Sequence, residues 1–225
     1  MNPFLFPDWT NRLRLPAGLM FMGAPFYLIG VVYLVGAPSF TDVGYQPVQP
    51  IDYSHKIHVG ELGMDCRYCH YTVEKAAFAA VPPTATCLGC HGPTNEQTPK
   101  IPLRGESPKL ALLRDIAKTD KPIEWIKVHD LPDFVYFNHG AHVNAGVGCQ
   151  NCHGRIDTMP HVFQSQTLSM GWCLNCHRNP EPNLRPRDEV TNMNYRAPEN
   201  QAELGRSLRQ QNGIQPPTHC SGCHR

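Results

Sequence analysis

Charge is missing from one long stretch: Leu15 to Thr41 contains no Asp, Glu, Lys or Arg. Aromatic residues are scarce, at 9% of 225, while Pro and Gly number 22 and 18. Such a composition excludes a large conventional core and leaves a thin, loop-rich one. No basic run occurs. The lysines and arginines are scattered, and nothing points to nucleic acid as a partner. Cysteine is absent everywhere except in five short units, which hold all ten copies.

Those units share the form Cys-x-x-Cys-His. They are Cys66/Cys69/His70, Cys87/Cys90/His91, Cys149/Cys152/His153, Cys173/Cys176/His177 and Cys220/Cys223/His224. The form is the attachment signature of a c-type haem: two thiols bond covalently to the porphyrin and the adjacent imidazole is the proximal iron ligand. With 12 His in 225 residues, His follows a given Cys by chance about once in twenty. Five successes in a row are on the order of one in a few million, so coincidence is set aside. Zinc is the competing chemistry. The first two pairs are 17 residues apart and the next two 20, both within the zinc-ribbon range of about 15–20. A Cys₄ zinc site gives no reason for the histidines, however, and strands Cys220/Cys223. A disulfide framework explains an even cysteine count but again not the histidines. The expectation is five covalently attached haem c groups.

Five porphyrins change what the composition means. Each is an apolar plate that can replace a side-chain core, so folding should be coupled to haem, as in other metal-dependent domains. The formal charge of +1 also shifts: with two propionates against one net positive iron centre per haem, the loaded protein should be about five units more negative.

Residues 1–14 end in Arg12 and Arg14 and are expected to be cytoplasmic. Residues 15–37 form the expected transmembrane anchor, since 20 apolar residues span about 30 Å of hydrocarbon. The arginines precede it and Asp42 follows, which puts the N-terminus inside. Trp9, Tyr33 and Phe40 suit the interfaces, and Pro25 is expected to bend the helix. The alternative is a cleaved signal peptide ending near Val35-Gly36-Ala37, but Pro38 follows and the apolar run is longer than such peptides need. Residues 38–50 are a Pro-punctuated linker, and 51–225 make the extracytoplasmic haem domain.

That domain contains a duplication. Block 51–91 has His55 and His58 upstream of two attachment units, and block 137–177 has His139 and His142 in the same place. The step is 84 residues between His55 and His139 but 83 between Cys66 and Cys149. The fifth unit, 220–224, stands outside. Ser107-Pro108 opens a short helix over 108–118; residues 123–137 read as short extended segments around Leu131-Pro132; residues 198–212, closed by Gly213, read as a polar helix. The fold class is a mostly irregular and α multihaem cytochrome c, with one N-terminal transmembrane helix.

Five distal ligands are needed if every iron is six-coordinate. His55, His58, His139 and His142 are four of them, because residues at i and i+3 can reach two haems from one turn. His129 lies outside the repeat and is the fifth candidate, ahead of His161, Met159 and Met170; His219 is too constrained by its neighbour Cys220. Full histidine ligation closes the iron to substrate and favours electron transfer. No Cys-x-x-Cys-Lys, the mark of an open catalytic haem, occurs.

The histidine pairs resemble the Phe-x-His-x-x-His pattern of small multihaem cytochromes. That resemblance implies that His55 serves the haem of Cys66 and His139 that of Cys149, with His58 and His142 reaching other haems. More widely, DYSHKIHVGELGMDCRYCH, WIKVHDLPDFVYFNHGAHV and SMGWCLNCHR, behind an N-terminal anchor, resemble the pentahaem cytochrome c subunits of bacterial alternative complex III. The resemblance implies an electron-transfer subunit of a quinol:acceptor oxidoreductase, beside an iron–sulfur subunit and polytopic membrane subunits, delivering electrons to a cytochrome c or an oxidase. It implies no catalytic residue of its own. The alternatives are a small anchored cytochrome that oxidises quinol directly, and a reductase with one open haem.

Overall fold

The computed structural model describes residues 7–92, 103–105, 107–119 and 121–224. The first six residues of the expected cytoplasmic segment lie outside the described residues. The chain divides into two units, 1–43 and 44–225.

In the first unit a 3₁₀ turn, Asp8–Leu13, feeds helix α1, Arg14–Gly36. Helical residues Trp9–Gly36 are long and apolar enough to cross a membrane. A helix satisfies its backbone polar groups internally, which a hydrocarbon surrounding requires. Pro25 sits inside α1 without ending it, and no α1 side chain is buried within the unit. Ala37 turns extended, as a residue before proline must, and Pro38 opens the single turn α2, Pro38–Thr41.

The second unit begins within the expected linker, and residues 44–49 are fastened to it. Gly44 N–H donates to Gln164 O at 2.8 Å, and the Gln49 amide brackets the Ile126 backbone at 2.8 and 3.0 Å. Its helices are short: α3 Cys66–Cys69, α4 Thr84–His91, α5 Ala111–Thr119, α6 His139–Asn144, α7 Cys149–His153, α8 Met170–Arg178 and α9 Gln201–Gln211. Among the described residues no strand forms, only the isolated antiparallel bridges Val135–His224 and Val147–Leu184. The segment 123–137 therefore pairs at Val135 alone. Pro132 has no N–H to give a ladder, and its carbonyl instead closes a turn by accepting from Val135 N–H at 2.9 Å.

Helix α5 follows a 3₁₀ turn, Pro108–Leu110, and buries Leu113 and Ile116, three residues apart on one face. Ser107 occupies the cap position without a side-chain bond. Arg114 instead fixes this corner by donating to Gly105 O and Ser107 O. Helix α9 packs on the turn Glu181–Asn183 so closely that a Cβ at Gly205 would lie 2.2 Å from Glu181 O. It ends at Gly213, whose φ of +59° lets Ile214 N–H reach Arg209 O at 2.9 Å. That is the glycine-terminated helix stop in which a left-handed residue satisfies late carbonyls.

The duplication is visible in three dimensions, with one difference. The second block's histidine pair lies on α6, whereas the first lies at the start of a π-type turn, Lys56–Glu61. Leu62 N–H bonds Ile57 O, five residues back, at 2.9 Å. A π turn absorbs one extra residue without breaking the helix, which accounts for the 84-versus-83 step. The same turn packs on the second block: Lys56 N–H donates to Met159 O at 3.0 Å, and Gly60 lies where a Cβ would meet Asp157 O at 2.3 Å.

Eight apolar side chains among the described residues are buried: Ile51, Val73, Leu113, Ile116, Met159, Leu184, Val190 and Met193. They form no single large cluster in sequence, and they are few for a unit of this length. The structure is helix-rich and loop-rich, arranged around its cysteine–histidine turns.

Candidate haem centres

Each Cys-x-x-Cys-His unit occupies a helical or 3₁₀ turn. Residues at i, i+3 and i+4 of such a turn share a face, so the two thiols and the imidazole point the same way. Caps fix three of the histidine-bearing turns. Asp65 accepts from Arg67 N–H ahead of His70, Asn138 from Ala141 N–H, and Ser169 from Trp172 N–H ahead of His177. All ten thiols are free; nine are half-buried and Cys220 is exposed. Among the described residues no group of three or more His, Cys, Asp or Glu is disposed to hold a metal ion.

Neighbouring units meet through their cysteines. The Cys66 and Cys149 thiols lie close enough to perturb one another, which pushes the Cys66 value up and the Cys149 value down. Burial first, and the nearby Cys69 second, push the Cys87 thiol up. Cys90 departs from this pattern. It lies half-buried in the last turn of α4, and among the described residues its thiol is not brought against another attachment unit. What fixes it is backbone: Cys90 O accepts from Leu103 N–H at 2.9 Å. Its expected role as the second attachment cysteine of the second unit therefore rests on sharing the α4 face with Cys87, three residues earlier, and not on a contact of its own.

The histidines fall into three settings. In the first, two pairs stand opposite one another: His58 and His91 edge-on (76°) at 6.2 Å between ring centres, His142 and His177 tilted (37°) at 6.0 Å. Metal–imidazole bonds run about 2 Å, so two imidazoles on one iron hold their ring centres about 6 Å apart. All four rings have Nδ1 within hydrogen-bond reach of a backbone carbonyl: His58 to Ser54 at 2.8 Å, His91 to Leu103 at 2.8 Å, His142 to Asn138 at 2.8 Å and His177 to Pro217 at 2.7 Å. A carbonyl can only accept, so Nδ1 carries the proton and Nε2 keeps its lone pair for a metal. An aromatic ring two residues before each pair repeats the geometry. Tyr53 stands edge-on to His55 (88°) and stacks on His58 (22°), as Phe137 does to His139 (88°) and His142 (24°).

In the second setting five histidines share one region: His55, His70, His129, His139 and His153. His139 and His153 are 6.4 Å apart with rings nearly parallel, while His129 meets His153 edge-on at 4.4 Å. His70 and His139 anchor Nδ1 on Ala80 O and Ala77 O, at 3.0 and 2.9 Å. Burial first, and neighbouring imidazoles second, push His55 and His129 down to about 4 and His153 to about 3. All three are neutral at pH 7, the form that ligates iron. His55 Nδ1 and His129 Nε2 are buried without a hydrogen-bond partner. An orphaned buried nitrogen costs about 1–3 kcal/mol, and the region fits a group that supplies electron-accepting metal.

The third setting is His224. Its ring neighbour is Phe134, at 5.8 Å and 35°. His129 is thus brought to the third attachment unit and not to the fifth, the one outside the repeat. The other candidates lie elsewhere: His161 pairs with Asp52 at 3.3 Å, Met159 is buried near Gly154, and Met170 is exposed at the start of α8. A cavity of about 440 Å³ is lined by His142, Cys176, His177, Gly222 and Cys223 among others, joining the fourth unit to the fifth.

Sequence reasoning missed Arg185, which is buried beside Cys149; nothing local marks it. The matched Tyr53 and Phe137 carried a signal, the Tyr-x-His and Phe-x-His that open the two blocks.

Repeated thiol pairs with following imidazoles, in a unit with little side-chain core, define a multihaem cytochrome c. The chain belongs to the multihaem cytochromes c, and its residues 115–225 match the class III cytochrome c family. The family's cofactor is covalent haem c, which the ten cysteines fit. The chain is also 33% identical, over 179 residues, to the multiheme cytochrome c subunit of menaquinone reductase from Nitratidesulfovibrio vulgaris; the match takes in 69% of this chain and 81% of that protein. Quinone-linked electron transfer by a multihaem cytochrome is the function this kinship supports.

Proposed function

We propose that the protein is the haem-bearing subunit of a membrane complex that oxidises quinol and passes electrons to an extracytoplasmic acceptor. The observation that carries this reading is the twice-built array of aromatic ring and two imidazoles at Tyr53–His58 and Phe137–His142. Five haem c groups are held by the ten cysteines, Cys90 completing the second unit with Cys87, and His70, His91, His153, His177 and His224 are proximal. His58 stands opposite His91 and His142 opposite His177. His55, His129 and His139 serve the haems of His70 and His153. When bound, the haems supply single-electron oxidation and reduction. The residues set the path: one turn carries His55 and His58, another His139 and His142, and the Cys66–Cys149 contact and the shared cavity make the remaining links. The attachment units are therefore strung in the order second, first, third, fourth, fifth.

Helix α1 anchors the chain with Arg12 and Arg14 on the cytoplasmic side. An iron–sulfur subunit and polytopic membrane subunits hand electrons on, as the resemblance to alternative complex III implies, and a cytochrome c or oxidase accepts them. The relative's name describes reduction of menaquinone; such a wire conducts either way, and the potentials at its ends fix the direction. The test is purification from the native membrane in mild detergent, followed by addition of a menaquinol analogue. Complete haem reduction by the complex, and none by the isolated chain, is expected. Rapid reduction of the isolated chain would contradict the reading and favour direct quinol oxidation. Within the isolated chain, His58→Ala and His142→Ala should each turn one low-spin haem high-spin in the visible spectrum.

A further inference from the structure

We infer that Thr72 is a positioning residue for two haems at once. Its hydroxyl shapes the loop 72–80, whose carbonyls orient one axial imidazole on the haem of the first attachment unit and one on that of the third. The inference rests on the haem assignment proposed above, with His70 on the first haem and His139 opposite His153 on the third. His139 and His153 stand 6.4 Å apart between ring centres, close to the spacing of about 6 Å that two imidazoles on one iron hold.

The acceptors are the first observation. His70 Nδ1–H donates to Ala80 O at 3.0 Å, and His139 Nδ1–H donates to Ala77 O at 2.9 Å. The other anchored rings draw on separate segments: His58 on Ser54, His91 on Leu103, His142 on Asn138 and His177 on Pro217. Among the described residues, His70 and His139 alone take their acceptors from one loop, although they belong to different blocks of the repeat. The loop grips the second block in two further places. Gly140 N–H donates to Ala76 O at 3.1 Å, and the Asn144 amide donates to Glu74 O at 2.7 Å.

The second observation is what closes the loop. Thr72 Oγ1 donates to Phe78 O at 2.7 Å and accepts from Ala80 N–H at 2.9 Å. These bonds hold the chain directly after Ala77 and at Ala80 itself, the two residues whose carbonyls receive the imidazoles. The near half of the loop is held by backbone, with Lys75 and Ala76 N–H donating to Thr72 O at 2.9 and 2.8 Å; the far half depends on the hydroxyl. Apolar burial adds little there, since Phe78 is 79% exposed.

A carbonyl that accepts from Nδ1–H makes the ring a stronger donor at Nε2, which favours oxidised iron and lowers the haem potential. Because one hydroxyl holds both acceptors, the two haems are tuned together.

The test uses the full-length protein in detergent, with covalent haem counted first and each potential read by spectroelectrochemical titration. Thr72→Val keeps the branched shape and removes the hydroxyl. Two potentials should rise and the others stay in place, with haem content unchanged, and Thr72→Ser should have the parent values. A lower melting temperature with no potential moved would overturn the inference. So would movement of any number of potentials other than two, or an equal shift in Thr72→Ser. If Thr72→Val loses haem, the fully reduced parent decides. The Nδ1 protons of His70 and His139 should then exchange with deuterium together, because one opening of the loop releases both; separate exchange rates would overturn the inference. A parent with fewer than five covalent haems would instead overturn the assignment beneath it, so the two failures are told apart.

Discussion

Arg185 is a buried guanidinium, 5% exposed, with no carboxylate at ion-pair distance among the described residues. It donates to Asn151 Oδ1 at 3.1 Å and Asn192 O at 3.4 Å, and lies over the Tyr195 ring at 4.3 Å. A Cβ at Gly148 would fall 2.2 Å from its Cζ, so the glycine before Cys149 makes its room. Burial lowers its value, but a guanidinium stays charged in proteins. A buried cation beside a haem opposes the extra positive charge of oxidised iron and raises the potential. Arg185→Gln should therefore lower one haem potential in a spectroelectrochemical titration and leave the rest in place. A fall in melting temperature with every potential unchanged would reduce Arg185 to a structural clamp on α7.

At the scale of elements, α9 is held to the turn Glu181–Asn183 by Gly205 packing and by Arg209, whose guanidinium bonds the Glu181 carboxylate at 2.6 Å. Arg209 first, and a backbone N–H second, hold the Glu181 carboxyl below its ordinary 4.5. A lowered carboxyl stabilises the fold fully above its ordinary value and loses that contribution as the pH falls below it. Arg209→Gln should thus cost about 1 kcal/mol or less at pH 7, about 2–4 °C in melting temperature. The gap from the parent should narrow as the pH falls below 4.5; a gap equal at pH 7 and pH 3 would mean that the bond contributes nothing through charge. The elements differ in how plainly the sequence announces them. Gly213 ends α9, Pro108 opens the turn into α5, and the apolar run makes α1, all through short-range chemistry that local residues encode. The one-residue mismatch of the repeat is likewise legible, and emerges as the π turn at Lys56–Glu61. The extended reading of 123–137 gained only the Val135–His224 bridge, because its partner lies 89 residues away and no ladder surrounds it. The meeting of His129 with His153 is long-range for the same reason. Cys90 shows the converse: its spacing from Cys87 names it, while its surroundings among the described residues add the backbone bond from Leu103. Spacing names ligands, but only the folded chain decides which of them meet.

Taken whole, the haem domain is a set of short turns that enclose more than they pack. Among the described residues its buried apolar side chains are few, its imidazoles are crowded, and two buried ring nitrogens lack partners. Porphyrin must supply the missing interior, so a chain with every attachment cysteine replaced by serine should lack native structure. It should show weak circular dichroism outside α1 and rapid proteolysis beyond the anchor; a protease-resistant haem-free domain would contradict this. Everything else depends on ten cysteines carrying five haems, and intact-mass spectrometry of the denatured, purified protein decides that point. The expected result is a single species heavier than the polypeptide by five haem groups, with no free thiol. A mass equal to the bare chain, or lighter by two hydrogens per cysteine pair, would contradict it.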